Sequence, residues 1–244
     1  MKKNVFVAAL FASLLALCSP GFASVKDGST LFVVLGGNGT CRRDGISAVV
    51  PGLKDVKLFD AFNAWILTNG LVQPEDNVLY ACYEWLSPRM QFFDLHGEQS
   101  MIPMDETELD ELVVSRAGNA TKLVIIGHSH AGWRAMKLAA SEYVLNSLQV
   151  PVVLATMDPV SRVTCQRLRE PGCRQAPRDI TVDEFDRLNT RTTWFNIYHT
   201  PAAFLGSGPM AAAHYNQWVP VNHVSMENNR RTWRLVSGFV ARNL

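Results

Sequence analysis

Leu123-Val124-Ile125-Ile126 runs without a break into Gly127-His128-Ser129-His130-Ala131-Gly132, and a helix-forming stretch follows at once. A continuous apolar, β-branched run has no wet face to offer, so it reads as a strand buried on both sides of a sheet. A serine caught between such a strand and a helix is forced into a strained backbone conformation, and its hydroxyl projects from the sheet edge. The positions two before and two after it must be small, because the turn presses them against neighbouring backbone; here they are Gly127 and Ala131. Gly132 and Ala135 let the helix lie close on the strand. The first turn of that helix aims its N–H groups and positive dipole end at the serine, which favours an oxyanion there.

The surrounding pattern supplies a sheet for this unit. Thr30-Leu31-Phe32-Val33-Val34-Leu35 is a second apolar run, ending in Gly36-Gly37-Asn38-Gly39. Val56, Phe59, Phe62, Asn63 and Ile66 form a helical stripe that stops at Asn69-Gly70, and Asn77 to Tyr83 reads as a strand. A helix is expected over Thr107–Ser115, one long helix from about Ala131 to Leu148, and a strand over Val152–Thr156. Thr193–Tyr198 repeats the strand pattern, and a terminal helix covers Asn229–Val240. Strands alternating with helices predict an α/β class fold: one domain, a mainly parallel sheet, helices on both faces.

Gly127-His128-Ser129-His130-Ala131-Gly132 is similar to the Gly-His-Ser-x-Gly-Gly elbow of lipases and esterases of the α/β-hydrolase superfamily, with Ala131 in place of a glycine. The resemblance spans the chain from about Thr30 onward and implies a triad in the order Ser, Asp or Glu, His. Asp158, in Asp158-Pro159 after the strand ending at Met157, fits the acid, since active groups gather at the carboxyl edge of parallel strands. Asp179, Asp183, Glu184 and Asp186 are rivals near a surface helix opened by the capping box Thr181-x-x-Glu184. His223, just before the terminal helix, stands where the family keeps its base, with His214 as the alternative. His128 and His130 flank the serine, so their side chains point away from its hydroxyl; His199 ends the last strand and His96 has no assigned part. The expected oxyanion donors are the N–H of His130 and one from the glycine loop, at Gly37 or Asn38. A metal held by His128-x-His130 is a weaker account of that spacing than the elbow, and the triad calls for no cofactor and no metal.

The N-terminus points to an export route. Lys2-Lys3 precede an apolar run from Val5 to Cys18, and Gly21-Phe22-Ala23 has the small-x-small pattern of a cleavage site. Residues 1–23 are expected to be a signal peptide and residues 24–244 the mature domain, periplasmic or secreted. The run is shorter than the roughly 20 residues a spanning helix needs. Leu15-Ala16-Leu17-Cys18 resembles a lipobox, but Leu17 stands where a small residue belongs. Export leaves Cys41, Cys82, Cys165 and Cys173, read as two disulfides, with Cys41 to Cys82 and Cys165 to Cys173 the favoured pairing.

A formal net charge of +1 gives no field to gather nucleic acid, and the 48% hydrophobic content excludes a disordered chain. The expected partner is a small-molecule or lipid ester, with no nucleic acid and no stable membrane span. Ser161–Arg178, with five arginines, is either a disulfide-tied rim for anionic substrates or a solvated loop. Pro201–Pro220, rich in Ala and Gly with Phe204, Tyr215 and Trp218, is either an acyl pocket or a packed surface loop. Asn38-Gly39-Thr40 and Asn119-Ala120-Thr121 match glycosylation sequons. The expectation is a serine hydrolase of esters or thioesters; an amidase, peptidase or acyltransferase with the same triad, or a non-catalytic binding module on the same fold, are the alternatives.

Overall fold

Apolar strand runs that alternate with amphipathic helices can bury both sheet faces only if helices cover each, and that is the arrangement observed. The computed structural model describes residues 28–41, 57–84, 90–94, 106–160, 180–199 and 207–244. The strands are β1 (Thr30–Cys41), β2 (Asn77–Glu84), β3 (Met90–Asp94), β4 (Lys122–His128), β5 (Val152–Met157), β6 (Thr192–Tyr198) and β7 (Tyr215–Trp218). The helices are α1 (Lys57–Phe62), which continues as a π-helical turn at Asn63–Leu67, α2 (Glu106–Ala117), α3 (His130–Ala140), α4 (Glu142–Leu148), α5 (Val182–Arg191), α6 (His223–Met226) and α7 (Arg230–Asn243). The strands form one sheet in the order β3-β2-β1-β4-β5-β6-β7, in which only β3, at the edge beside β2, runs antiparallel. The described residues thus form a single α/β domain with a mainly parallel sheet.

Alternate residues of each central strand serve opposite faces. Leu31, Val33, Leu35, Leu123 and Ile125 pack in a core with Leu109 and Val113 of α2, Leu138 of α3, Val144 of α4 and Leu188 of α5. Phe32, Val34, Val124 and Ile126 pack in a second core with Phe59 and Phe62 of α1 and Trp233, Val236 and Phe239 of α7. Each such side chain taken out of water contributes about 1.5–3 kcal/mol. Asn63 sits in the α1 stripe for a polar reason: its Oδ1 accepts the Tyr80 hydroxyl at 2.6 Å. Burial pushes that phenol well above its ordinary pKa, so it remains the donor.

Several expectations change. The long helix over Ala131–Leu148 is two helices, because Ser141 leaves the helical region (φ −61°, ψ 120°) and its side chain caps α4 through Val144 N–H. Strand β1 runs on through Gly36-Gly37 to Cys41, with a register shift between Gly36 and Cys41. The Pro201–Pro220 segment, read as a loop, contains the edge strand β7, whose Tyr215 and Trp218 are exposed. Strand β3 was not expected at all. The capping box is present, with Glu184 N–H on Thr181 Oγ1 and Thr181 N–H on a Glu184 carboxylate oxygen. The expected signal peptide, the arginine-rich segment 161–178 with Cys165 and Cys173, Asp179 and His96 lie outside the described residues. Among the described residues no helix is long and apolar enough to cross a membrane.

Candidate functional site

The chain order reverses direction in the sheet between β1 and β4, and in parallel sheets the crevice beyond the carboxyl ends at such a point is where ligands bind. Ser129 stands there, immediately after β4. Its backbone is held at φ 60°, ψ −130°, a conformation that costs of order 1–3 kcal/mol and is sustained by its surroundings. Ser129 N–H donates to Met157 O at 3.0 Å, and its carbonyl accepts Gly132 N–H at 3.0 Å and Val160 N–H at 3.1 Å. The small residues around it are sterically required. A Cβ on Gly127 would come within 2.5 Å of Ala131 O, and one on Gly132 within 3.0 Å of Pro159. Gly37 of β1 approaches from the other side, where a Cβ would lie 2.7 Å from Ser129 Cβ and 3.3 Å from its Oγ.

Two chain segments then close on this serine. Asp158 follows β5 and is fully buried; its backbone adopts φ 48°, and its N–H donates to Ile197 O of β6 at 2.7 Å. His223 opens α6, a turn capped by Asn222 Oδ1 on Ser225 N–H. Its Nε2 is 2.8 Å from Ser129 Oγ and its Nδ1 2.8 Å from Asp158 Oδ2. The consistent proton arrangement has Nδ1–H donating to the carboxylate and Nε2 accepting the serine O–H. The structure therefore brings Ser129, Asp158 and His223 into one hydrogen-bonded chain.

Burial acts oppositely on the two titrating members. It favours a protonated Asp158, but hydrogen bonds from His199, His223 and the Ser207 N–H, with the charge of His223, outweigh it and hold the carboxyl far below the usual range. Burial pushes His223 down; the bond to Asp158 opposes this and the neighbouring His128 and His199 reinforce it. The resting pair is thus a carboxylate and a neutral imidazole.

Two further histidines have roles here that sequence reasoning did not assign. His199, directly after β6, places Nδ1 2.5 Å from Asp158 Oδ2. His128, whose side chain leaves the serine as expected, is not idle: its Nε2 donates to the His223 carbonyl at 2.9 Å, and the two rings lie 4.9 Å apart. On its far side Nδ1 is 3.6 Å from Glu227 Oε2. The available signal for His199 was its place at the carboxyl end of the strand beside the one carrying Asp158. His130 Nδ1 bonds to Val160 O, and its main chain opens α3 next to Ser129. Asn38 follows Gly37 in β1; its side chain is outside the described set.

The rival candidates are placed elsewhere. His214 Nδ1 accepts Trp194 N–H at 3.3 Å, and Asp183, Glu184 and Asp186 sit on α5, where Glu184 is taken up by Thr181 and by Lys137 of α3. Asp158, His199 and His223 are also chemically able to hold a metal ion, with ligand atoms within 4.8 Å of one another. The hydrogen-bond account uses in addition the Ser129 hydroxyl and Ser207 N–H, which donates to Asp158 Oδ1 at 2.8 Å. Cys82 is buried on β2 beside Gly36 of β1 and is disulfide-bonded; Cys41 ends β1, its side chain outside the described set.

Comparison of the chain with protein-family models and with curated proteins finds no match.

Proposed function

We propose that the protein is a serine hydrolase that cleaves carboxylic esters or thioesters through an acyl-enzyme on Ser129. The observation that carries the reading is the single chain of contacts from Ser129 Oγ through His223 to a buried Asp158, each at 2.8 Å, on a strained strand-to-helix turn. In this reading His223 Nε2 takes the Ser129 proton as Oγ attacks the substrate carbonyl carbon. Asp158 stabilises the imidazolium and fixes its tautomer. The tetrahedral oxyanion is met by the N–H of His130 and one from Gly37 or Asn38, at the positive end of α3. Collapse expels the alcohol or thiol, which leaves with the proton from His223. Water then repeats the sequence against the acyl-enzyme and frees the acid.

The same reading makes the protein an exported member of the α/β-hydrolase superfamily that needs no cofactor and acts on a small-molecule or lipid ester. Its export is supported by the N-terminal pattern and by the disulfide-bonded Cys82, for which Cys41, at the end of the adjacent strand, is the proposed partner. Cys165 and Cys173 are proposed as the second pair. A fluorophosphonate probe tests the reading: it labels the oxidised protein, and Ser129→Ala removes the label. Equal labelling of that variant sinks the assignment. Turnover across a series of acyl esters and thioesters of increasing chain length then defines the substrate.

A further inference from the structure

The Asp158 carboxylate receives more than a hydrolase relay requires. Oδ1 takes the Ser207 N–H at 2.8 Å, and Oδ2 takes two imidazoles, His223 at 2.8 Å and His199 at 2.5 Å, all in a fully buried setting. Ring geometry fixes which forms of His199 are admissible. Its Nδ1 faces the carboxylate and must carry a proton, whereas its Nε2 is buried with no hydrogen-bond partner among the described residues. His199 is therefore, through Nδ1, an N–H donor to the Asp158 carboxylate. It also lies on a different strand from the acid. Asp158 follows Met157 at the end of β5 and His199 follows Tyr198 at the end of β6, and the two strands pair up to Met157 with Ile197.

We infer that His199 is a positioning residue for the relay: its Nδ1–H fixes the Asp158 carboxylate and draws charge from the oxygen that holds His223. This rests on the hydrolase reading above for its catalytic consequence, but the double donation itself does not. An oxygen shared by two N–H groups is a weaker acceptor for each. His223 therefore meets a softened counter-charge and is the less basic for it, so the free base persists to lower pH. The other charged or titrating groups around His223 are His128, packed on its ring from β4, and Glu227 beyond it; a change at His199 reaches His223 through the shared carboxylate and across the 6.3 Å between the two rings.

The test uses the full oxidised protein. His199→Phe keeps a ring and removes the donor; His199→Asn returns an N–H donor near the former Nδ1. In His199→Phe the acid limb of kcat/KM moves upward by up to about one pH unit, and kcat falls about tenfold with KM little changed. His199→Asn brings the limb back toward its original position. A filler role alone lowers thermal stability and leaves the limb in place, and that outcome overturns the inference. Proton NMR with assigned imidazole signals supplies a readout independent of turnover and of the variants folding: beside the N–H signals of His128 and His130, the wild type shows two slowly exchanging low-field imidazole N–H signals assigned to Nδ1 of His199 and of His223, and absence of the His199 signal overturns the double donation. Wild-type protein with two such signals but no Ser129-dependent turnover overturns the hydrolase reading instead and leaves the double donation standing.

Discussion

Helix α3 carries polar side chains in two settings that differ in how the solvent treats them. Around its N-terminus, Ser129, Asp158, His199 and His223 are all at least nine-tenths buried and bonded to one another. Along its flank, Arg134 pairs with Asp110 of α2, and Lys137 with Glu184 of α5 at 2.9 Å, around a cavity of about 330 Å³ that Arg187 also lines. The flank holds full formal charges and the N-terminus only one resident anion. Arg134 is itself buried, so the contrast lies with Lys137 and Glu184, whose side chains keep 25% and 16% exposure: the dry cluster dictates protonation states, while water screens that pair to no more than about 1 kcal/mol. Glu184 shows the limit: burial raises its pKa, and Thr181 and Lys137 together bring it only below the ordinary value. Enclosure, more than charge count, makes a polar group consequential here.

Substitutions sharpen that contrast. The largest effect falls on the buried chain: Ser129→Ala reduces acyl ester turnover about a millionfold, to background, in a steady-state assay. Asp158→Asn, which removes the anion and leaves the shape, lowers kcat about ten-thousandfold. A residual rate near wild type in either would dissolve the distinction between the two settings. Next comes Gly37→Ala, whose added Cβ would fall 2.9 Å from His128 O as well as against Ser129. It lowers kcat about a hundredfold and costs about 1–3 kcal/mol in denaturant unfolding.

The pH response follows from the two lowered pKa values. The proposed reaction needs neutral His223, so its kcat/KM should rise with pH through a midpoint below the ordinary 6.5. The unfolded chain binds the His223 proton more readily than the folded one, so stability falls as pH drops below that ordinary value. Asp158 adds a second loss on acidification below its ordinary 3.8. The thermal midpoint should therefore decline from about pH 7 to about pH 5; a flat or rising profile across that window contradicts the buried neutral imidazole. The smallest effect belongs to the flank: Lys137→Met changes unfolding free energy by less than about 1 kcal/mol, and less still in high salt.

What the sequence disclosed followed how local each determinant is. The β4–α3 turn was legible because a buried strand, a tight turn and small neighbours lie within ten contiguous residues. Asp158 could be reached from the rule about strand ends, and His223 from the order of a triad in the resembling family. His199 was passed over because its role is set laterally, by which strand lies beside β5, and nothing adjacent in the chain encodes that. The break at Ser141 was hidden for a different reason. Apolar spacing continues across it into Val144 and Leu145, and a serine that caps α4 is indistinguishable in pattern from one inside a helix. The edge strands β3 and β7 lacked the doubly buried signature that marked the central ones; β7 has the pattern exposed, exposed, half-buried, exposed.

The ladder between β4, β5 and β6 acts as a gauge block for the chemistry at its end. Gly127 pairs with Thr156 and Thr156 with Asn196, so the residues emerging after each strand are levelled by backbone hydrogen bonds before any side chain chooses a rotamer. Adjacent strands set the lateral spacing at about 4.8 Å, and one step of slippage would displace a residue by about 3.3 Å and turn it to the opposite face. No intermediate misalignment is on offer. Damage to the sheet interior should therefore divide molecules into fully competent and wholly inert populations, with active-site titration falling while the turnover per titrated site stays constant.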